Sequence, residues 1–199
     1  MILVVLVALA LVTVPLAGGR LGALMEMRFR AVWLLGLAFA IQVALAILPG
    51  ETTDLRLAVH AATYPMGLAF VWINREVPGL WLIAVGALSN GVAIVANGGV
   101  MPTTTEALRT AGLEVDPQVF ANSAALADPR MLFLGDVFAI PSWIPFANVL
   151  SIGDLLIAVG VAYTVHAVCG SRLVPLRFRW AGRGPWRASS PGPPTRRGR

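Results

Sequence analysis

The chain has 199 residues, of which 57% are apolar and 13% charged, with a mean hydropathy of +0.77 and a formal net charge of +5. Soluble domains run at about 45–50% apolar and ~25% charged, so this composition excludes an ordinary soluble globule and implies one helical membrane bundle. All fifteen basic residues are Arg, spread over connections and a tail rather than on a folded basic face, which argues against a nucleic-acid partner.

The first apolar run, near residues 3–17, has no basic segment before it and only Gly18-Gly19-Arg20 after it. It reads as a retained helix rather than a removed signal peptide. Further runs lie near 31–48, 55–73, 80–97 and 147–168. Each approaches the ~20 residues that cross a hydrocarbon core of about 30 Å. The expected fold is therefore all-α: a polytopic bundle of about five transmembrane helices over residues 1–171, then a basic disordered tail, 172–199.

Arginine placement sets the expected orientation. Twelve Arg lie in the first and third connections and the tail, against Arg56, Arg109 and Arg130 on the other side. The positive-inside rule puts the N-terminus outside and the C-terminus in the cytoplasm of a bacterial plasma membrane. Trp33, Trp72, Trp81 and Trp143 lie near predicted span ends, where such rings anchor at the interface.

The outer loop, 98–146, is long for a bundle. Thr103-x-x-Glu106 predicts a capping box, with Gly112 as the stop. Asp116-Pro117 and Asp128-Pro129 predict further helix starts. Met131–Pro141 is too short to span, so it is expected to be re-entrant or interfacial.

Polar residues in the spans gather at one predicted depth. Gln42, His60, Asn90 and Asp154 lie about two turns below the outer helix ends, ~8–11 Å at 1.5 Å per residue. Asn148, Ser151 and Asp154 fall on one face of the last helix. Asn and Ser in such places commonly join helices, whereas an intramembrane carboxylate is a functional candidate. The expected site is an outer-leaflet pocket centred on Asp136 and Asp154 and lined by Gln42, His60, Asn90, Asn97, Asn148 and Ser151. The two carboxylates would act as an acid–base pair. The lone Cys169 has no disulfide or metal partner. No phosphate loop, zinc pattern, haem pair or serine triad is visible, so no cofactor and no metal are expected.

Two resemblances follow. Asn97-Gly98-Gly99-Val100-Met101-Pro102, Gly135-Asp136-Val137-Phe138-Ala139-Ile140-Pro141 and Asn148-Val149-Leu150-Ser151-Ile152-Gly153-Asp154 together resemble a bacterial membrane family, domain of unknown function 5317. That resemblance covers about residues 1–178 and implies a small multi-pass protein of no known activity. Locally, Asp154-Leu155-Leu156-Ile157-Ala158-Val159-Gly160 is similar to the last helix of lipoprotein signal peptidases. That likeness implies Asp136 and Asp154 as a catalytic pair. Ser151 stands where that family has Asn, and its Gly-Asn-x-x-Asp-Arg motif is absent. The partners expected are the lipid bilayer and a lipid-linked or membrane-embedded substrate. The readings left open are an aspartate-dependent hydrolase, a transport or binding component for a proton, ion or lipid headgroup, and an accessory scaffold.

Overall fold

The computed structural model describes residues 2–47, 54–113, 123–126 and 128–178. It contains helices α1 (Ile2–Leu16), α2 (Gly22–Met25), α3 (Val32–Ile47), α4 (Asp54–Ile73), α5 (Leu80–Ala96), α6 (Thr105–Thr110) and α7 (Ile152–Val168). Four short strands accompany them: β1 (Met101–Thr103), β2 (Ser123–Ala125), β3 (Phe138–Ile140) and β4 (Asn148–Leu150). The five long helices lie on the five apolar runs. No helix among the described residues is long and apolar enough to cross a membrane.

The helices pack in the order α1, α7, α5, α4, α3. The last long helix thus inserts between the first helix and α5. α1 and α7 run parallel, with their C-terminal ends tied by Arg20 N–H to Cys169 C=O and Arg172 N–H to Ala17 C=O, each 2.9 Å. α5 runs against α7, since Gly153 meets Gly86 while Thr164 Oγ1 donates to Pro78 C=O at 2.7 Å. α3 and α4 are antiparallel as well, joined by Gln42 to Thr63 at the middle of α4 and by Asn74 to Arg30 just past its C-terminal end. The alternation gives two poles. One, the arginine pole, gathers Arg20, Arg28, Arg30, Arg75 and Arg172. The other, the hairpin pole, holds α6 and all four strands.

Close approach of α5 and α7 depends on glycine. A Cβ at Gly86 would lie 2.5 Å from Gly153 C=O, and one at Gly160 would lie 2.9 Å from Ile83 N. Small residues permit such backbone contact. Helix ends are closed locally. After α7, Gly170 takes φ +69° while Ser171 N–H bonds His166 C=O and Gly170 N–H bonds Ala167 C=O, the paired bonds of a Schellman stop.

The exterior of the bundle is apolar and its contacts include polar groups. Phe39, Ile47 and Leu55 are 71%, 73% and 71% exposed, whereas Thr63, Ser151, Thr164 and His166 are buried.

Several expectations are corrected at the hairpin pole. The last helix starts at Ile152, not Ala147, because residues 148–150 pair antiparallel with 138–140 and spend their backbone groups there. Met131–Pro141 is a 3-10 turn, Leu132–Leu134, followed by β3. β1 pairs parallel with β2, so the loop is not made of helices alone. The cap of α6 is Thr104, whose side chain accepts from Ala107 N–H, rather than Thr103. Thr103 is instead held in β1. Gly112 is the predicted stop, at φ +66°. No helix starts at Pro129; the turn begins after Met131. Asp116-Pro117 and residues 179–199 of the tail lie outside the described residues.

Candidate functional site

The hairpin pole is built by the three sequence motifs singled out above. Asn97 caps α5 and donates to Ala93 C=O at 2.7 Å. The same side chain clamps the backbone of Arg130, accepting from its N–H and donating to its C=O, each at 2.8 Å. Met101-Pro102-Thr103 leads away from this cap and meets Gly135-Asp136. Asp136 N–H donates to Pro102 C=O at 2.9 Å, and Thr103 Oγ1 donates to Asp136 C=O at 2.6 Å. A Cβ at position 135 would collide with the Pro102 carbonyl oxygen, so only glycine fits there. β3 then carries the chain to β4, whose register sets Ile140 opposite Asn148. Each motif is therefore a partner of another.

Where α7 begins, Ser151, Asp154 and Asn90 close a ring of hydrogen bonds. Ser151 Oγ accepts from Asp154 N–H at 2.9 Å, and Asp154 Oδ2 accepts from Ser151 N–H at 3.2 Å. This is a reciprocal cap on the first turn. Asn90, from the middle of α5, completes it. Its Nδ2 donates to Asp154 Oδ1 at 2.9 Å, and its Oδ1 accepts from Ser151 Oγ at 2.8 Å. Every polar atom of the Asn90 side chain faces α7. A Cβ on Gly153 would strike Asn90 Oδ1, so the same glycine that lets the helices touch lets this ring form. Asp154 lies in the first helical turn, where the N-terminal end of the helix dipole favours a negative charge.

The predicted pocket residues divide into separate groups. Asn90, Ser151 and Asp154 meet. Gln42 and His60 form a second chain across α3 and α4: Gln42 Nε2 donates to Thr63 Oγ1 at 2.8 Å, and Thr63 Oγ1 donates to His60 C=O at 2.7 Å. The His60 ring reaches Tyr64 Oη at 3.3 Å, and Tyr64 packs on Gly91. Asn97 works at the end of α5, and Asn148 lies in β4. Asp136 is buried in the strand layer through its own backbone bonds. The pairing of Asn148, Ser151 and Asp154 on one helical face is corrected: Asn148 is extended and Ser151 is the N-cap, because the helix starts later. The depth estimate for Asp154 changes with it, from two turns inside the helix to the first turn.

Sequence reasoning missed Asn74. It is the counterpart of Asn97, standing directly after the last residue of its helix, and that position after an apolar run was the available signal. It also missed the contact of Thr13 with His166. Among the described residues no group of three or more His, Cys, Asp and Glu could hold a metal ion.

Comparison with known proteins gives two matches. The family of unknown function DUF5317 matches residues 26–166. An uncharacterised protein of Thermotoga maritima is 31% identical over 163 residues, covering 81% of this chain and 87% of that protein. No solved structure matches. Neither match extends to the lipoprotein signal peptidases, so the local likeness at 154–160 stands without further support.

Proposed function

Because the chain belongs to DUF5317, a family of unknown function, we propose its role from its own geometry: a five-span membrane protein whose hairpin pole is a rigid outer-face cap serving binding or assembly. Its N-terminus lies outside and its C-terminus in the cytoplasm of a bacterial plasma membrane.

The observation that carries the membrane reading is the inverted surface. Large apolar side chains on α3, α4 and α5 face outward, while Thr63, Ser151 and Thr164 lie between helices. Soluble monomers rarely expose contiguous apolar patches beyond a few hundred Å²; in lipid the arrangement costs nothing. Two helices fall a few Å short of a hydrocarbon core of about 30 Å. α5 and α7 have 17 residues each, about 26 Å at 1.5 Å per residue, and a few Å of mismatch costs only fractions of a kcal/mol per Å. Helix alternation, with the arginine pole at one end, agrees with the positive-inside rule.

Binding or assembly is favoured over hydrolysis because Asp154 is committed. Both carboxylate oxygens accept hydrogen bonds that join α7 to α5 and cap α7. An aspartate-dependent hydrolase acting on a lipid-linked substrate would need Asp154 and Asp136 to work on that substrate as one unit. Asp154→Asn separates the two. It removes the titrating group and one acceptor, at about 1 kcal/mol. On the binding or scaffold reading, the variant accumulates and supports a cell that needs the protein. Loss of activity at unchanged abundance would restore the hydrolase reading. Topology is tested with a single cysteine at exposed Thr105 in a Cys169→Ser background. An impermeant thiol reagent should label it in intact cells; labelling only after lysis would invert the orientation.

A further inference from the structure

At the arginine pole a groove of about 560 Å³ opens between the start of α3 and the end of α4, lined by Arg30, Ala31, Trp33, Trp72, Ile73 and Arg75. Its lining carries two guanidinium groups, two indoles and no carboxylate. We propose that this groove holds the phosphate of one anionic phospholipid of the cytoplasmic leaflet, with Arg30 and Arg75 on the phosphate and Trp33 and Trp72 along the glycerol and upper acyl region. The inference rests on the membrane reading above, which sets this pole at the cytoplasmic interface.

The groove is organised rather than a chance meeting of surface charges. Asn74, buried at the end of α4, grips the Arg30 backbone on both sides: it accepts from Arg30 N–H at 2.8 Å and donates to Arg30 C=O at 3.0 Å. A third bond from Asn74 Nδ2 to Phe70 C=O, 2.8 Å, fixes the amide to its own helix. Phe29 packs on Phe70 with ring centroids 5.6 Å apart. The segment that carries Arg30 is therefore docked on α4. Arg75 leaves the same helix end. Its guanidinium lies 5.1 Å from the centre of the Trp72 ring and bonds Trp72 C=O at 3.4 Å. Trp72 is held edge-on against Trp81, 6.5 Å between centroids. A planar guanidinium resting on an indole is pre-positioned, and a guanidinium presents up to five donors to phosphate oxygens.

The ligand class follows from this chemistry. Trp33 and Trp72 are 67% and 61% exposed, and indoles at that exposure suit the boundary between headgroup and acyl chain. A phosphate that also carries acyl chains satisfies both the cations and the rings. Basic pockets between helices on the cytoplasmic side are places where such headgroups bind.

The test uses the full-length protein in detergent, titrated with phosphatidylglycerol, phosphatidylcholine or inorganic phosphate, with bound lipid counted by native mass spectrometry. The wild-type chain should retain one phosphatidylglycerol at concentrations where phosphatidylcholine is lost. R30Q/R75Q should weaken that retention about thirtyfold. R20Q/R172Q removes equal charge at the same pole but outside the groove and should change it less than about twofold. Should R30Q/R75Q not fold, R75Q alone reads the same site through an exposed side chain and should weaken retention about fivefold. Equal loss in R20Q/R172Q, equal retention of phosphatidylcholine, or displacement of the lipid by inorganic phosphate would each overturn the proposal. Carbonate washing of membranes from the producing cells separates the two levels. A wild-type chain that washes out sinks the membrane reading together with the groove. A chain that stays, with R30Q/R75Q and R75Q binding phosphatidylglycerol as wild type does, overturns the groove alone.

Discussion

The side chain of Asn74 holds the backbone of Arg30 across 44 residues of sequence, and Asn97 holds Arg130 in the same way across 33. In each case an asparagine just past a long helix bonds the carbonyl four residues back and clamps the N–H and C=O of an arginine. In each case the residue after that arginine turns left-handed, Ala31 at φ 53° and Met131 at φ 52°, and a helical segment follows. One device thus fixes a chain entry at each pole. A primary amide suits it because only Asn or Gln offers a donor and an acceptor side by side.

The first prediction concerns that clamp. Asn74→Asp keeps the shape but removes both donors, leaving the carbonyls of Arg30 and Phe70 without them. A loss of about 1–3 kcal/mol is expected, read as a lower midpoint in detergent thermal unfolding. Ala31→Gly should act in the opposite sense, since a left-handed conformation costs a non-glycine residue roughly 1 kcal/mol. An Ala31→Gly protein that melts earlier than wild type would contradict the left-handed entry.

Another prediction addresses the ring at the start of α7. Asn90→Ala leaves Asp154 Oδ1 and Ser151 Oγ without their interhelical partner, and Ser151→Ala removes the cap. Each should cost about 1–3 kcal/mol. The double variant should cost measurably less than the sum, because residues in one network are not additive. Strict additivity would mean that Asn90 and Ser151 act separately. Asn90→Asp sets a second carboxylate beside Asp154 and should be worse than Asn90→Ala.

Glycine substitutions should sort by position. Gly153→Ala drives a methyl into Asn90 Oδ1, and Gly86→Ala drives one toward Gly153 C=O. Both should destabilise, by roughly 1–3 kcal/mol. Gly67→Ala and Gly36→Ala add a methyl where nothing lies within 4 Å, and in a helix they should gain up to about 1 kcal/mol. A midpoint for Gly153→Ala equal to that of Gly67→Ala would be incompatible with the α5–α7 contact.

A last prediction fixes the tautomer of His166. The Thr13 hydroxyl has one proton, which Leu9 C=O at 2.8 Å or Ala10 C=O at 2.9 Å accepts. With that proton on a carbonyl, the oxygen is left to accept from His166 Nε2–H, 3.1 Å away. His166 Nδ1 is buried without a protein partner. Imidazole ¹⁵N spectra should show the proton on Nε2, and Thr13→Val should destabilise by about 1–3 kcal/mol through the unpaired donor. A spectrum with the proton on Nδ1 would contradict this geometry.

The sequence by itself determined the five helices, since an apolar run near twenty residues in length has few other ways to satisfy its backbone in lipid or in a bundle. It also determined the arginine asymmetry and the stop at Gly112, which are written as local residue choices. The Ser151-x-x-Asp154 pattern was present too, but an apolar stretch starting at Ala147 hid the true helix start. Only pairing with Phe138–Ile140 decides that residues 148–150 are a strand, and that pairing is non-local. For the same reason tertiary structure alone decided that Asn90 joins Asp154 while Gln42 and His60 do not. Depth along separate helices cannot say which faces meet. Helix order across the bundle, with α7 between α1 and α5, supplies that answer, and the glycines at 86 and 153 let the two backbones come close enough for the amide to reach.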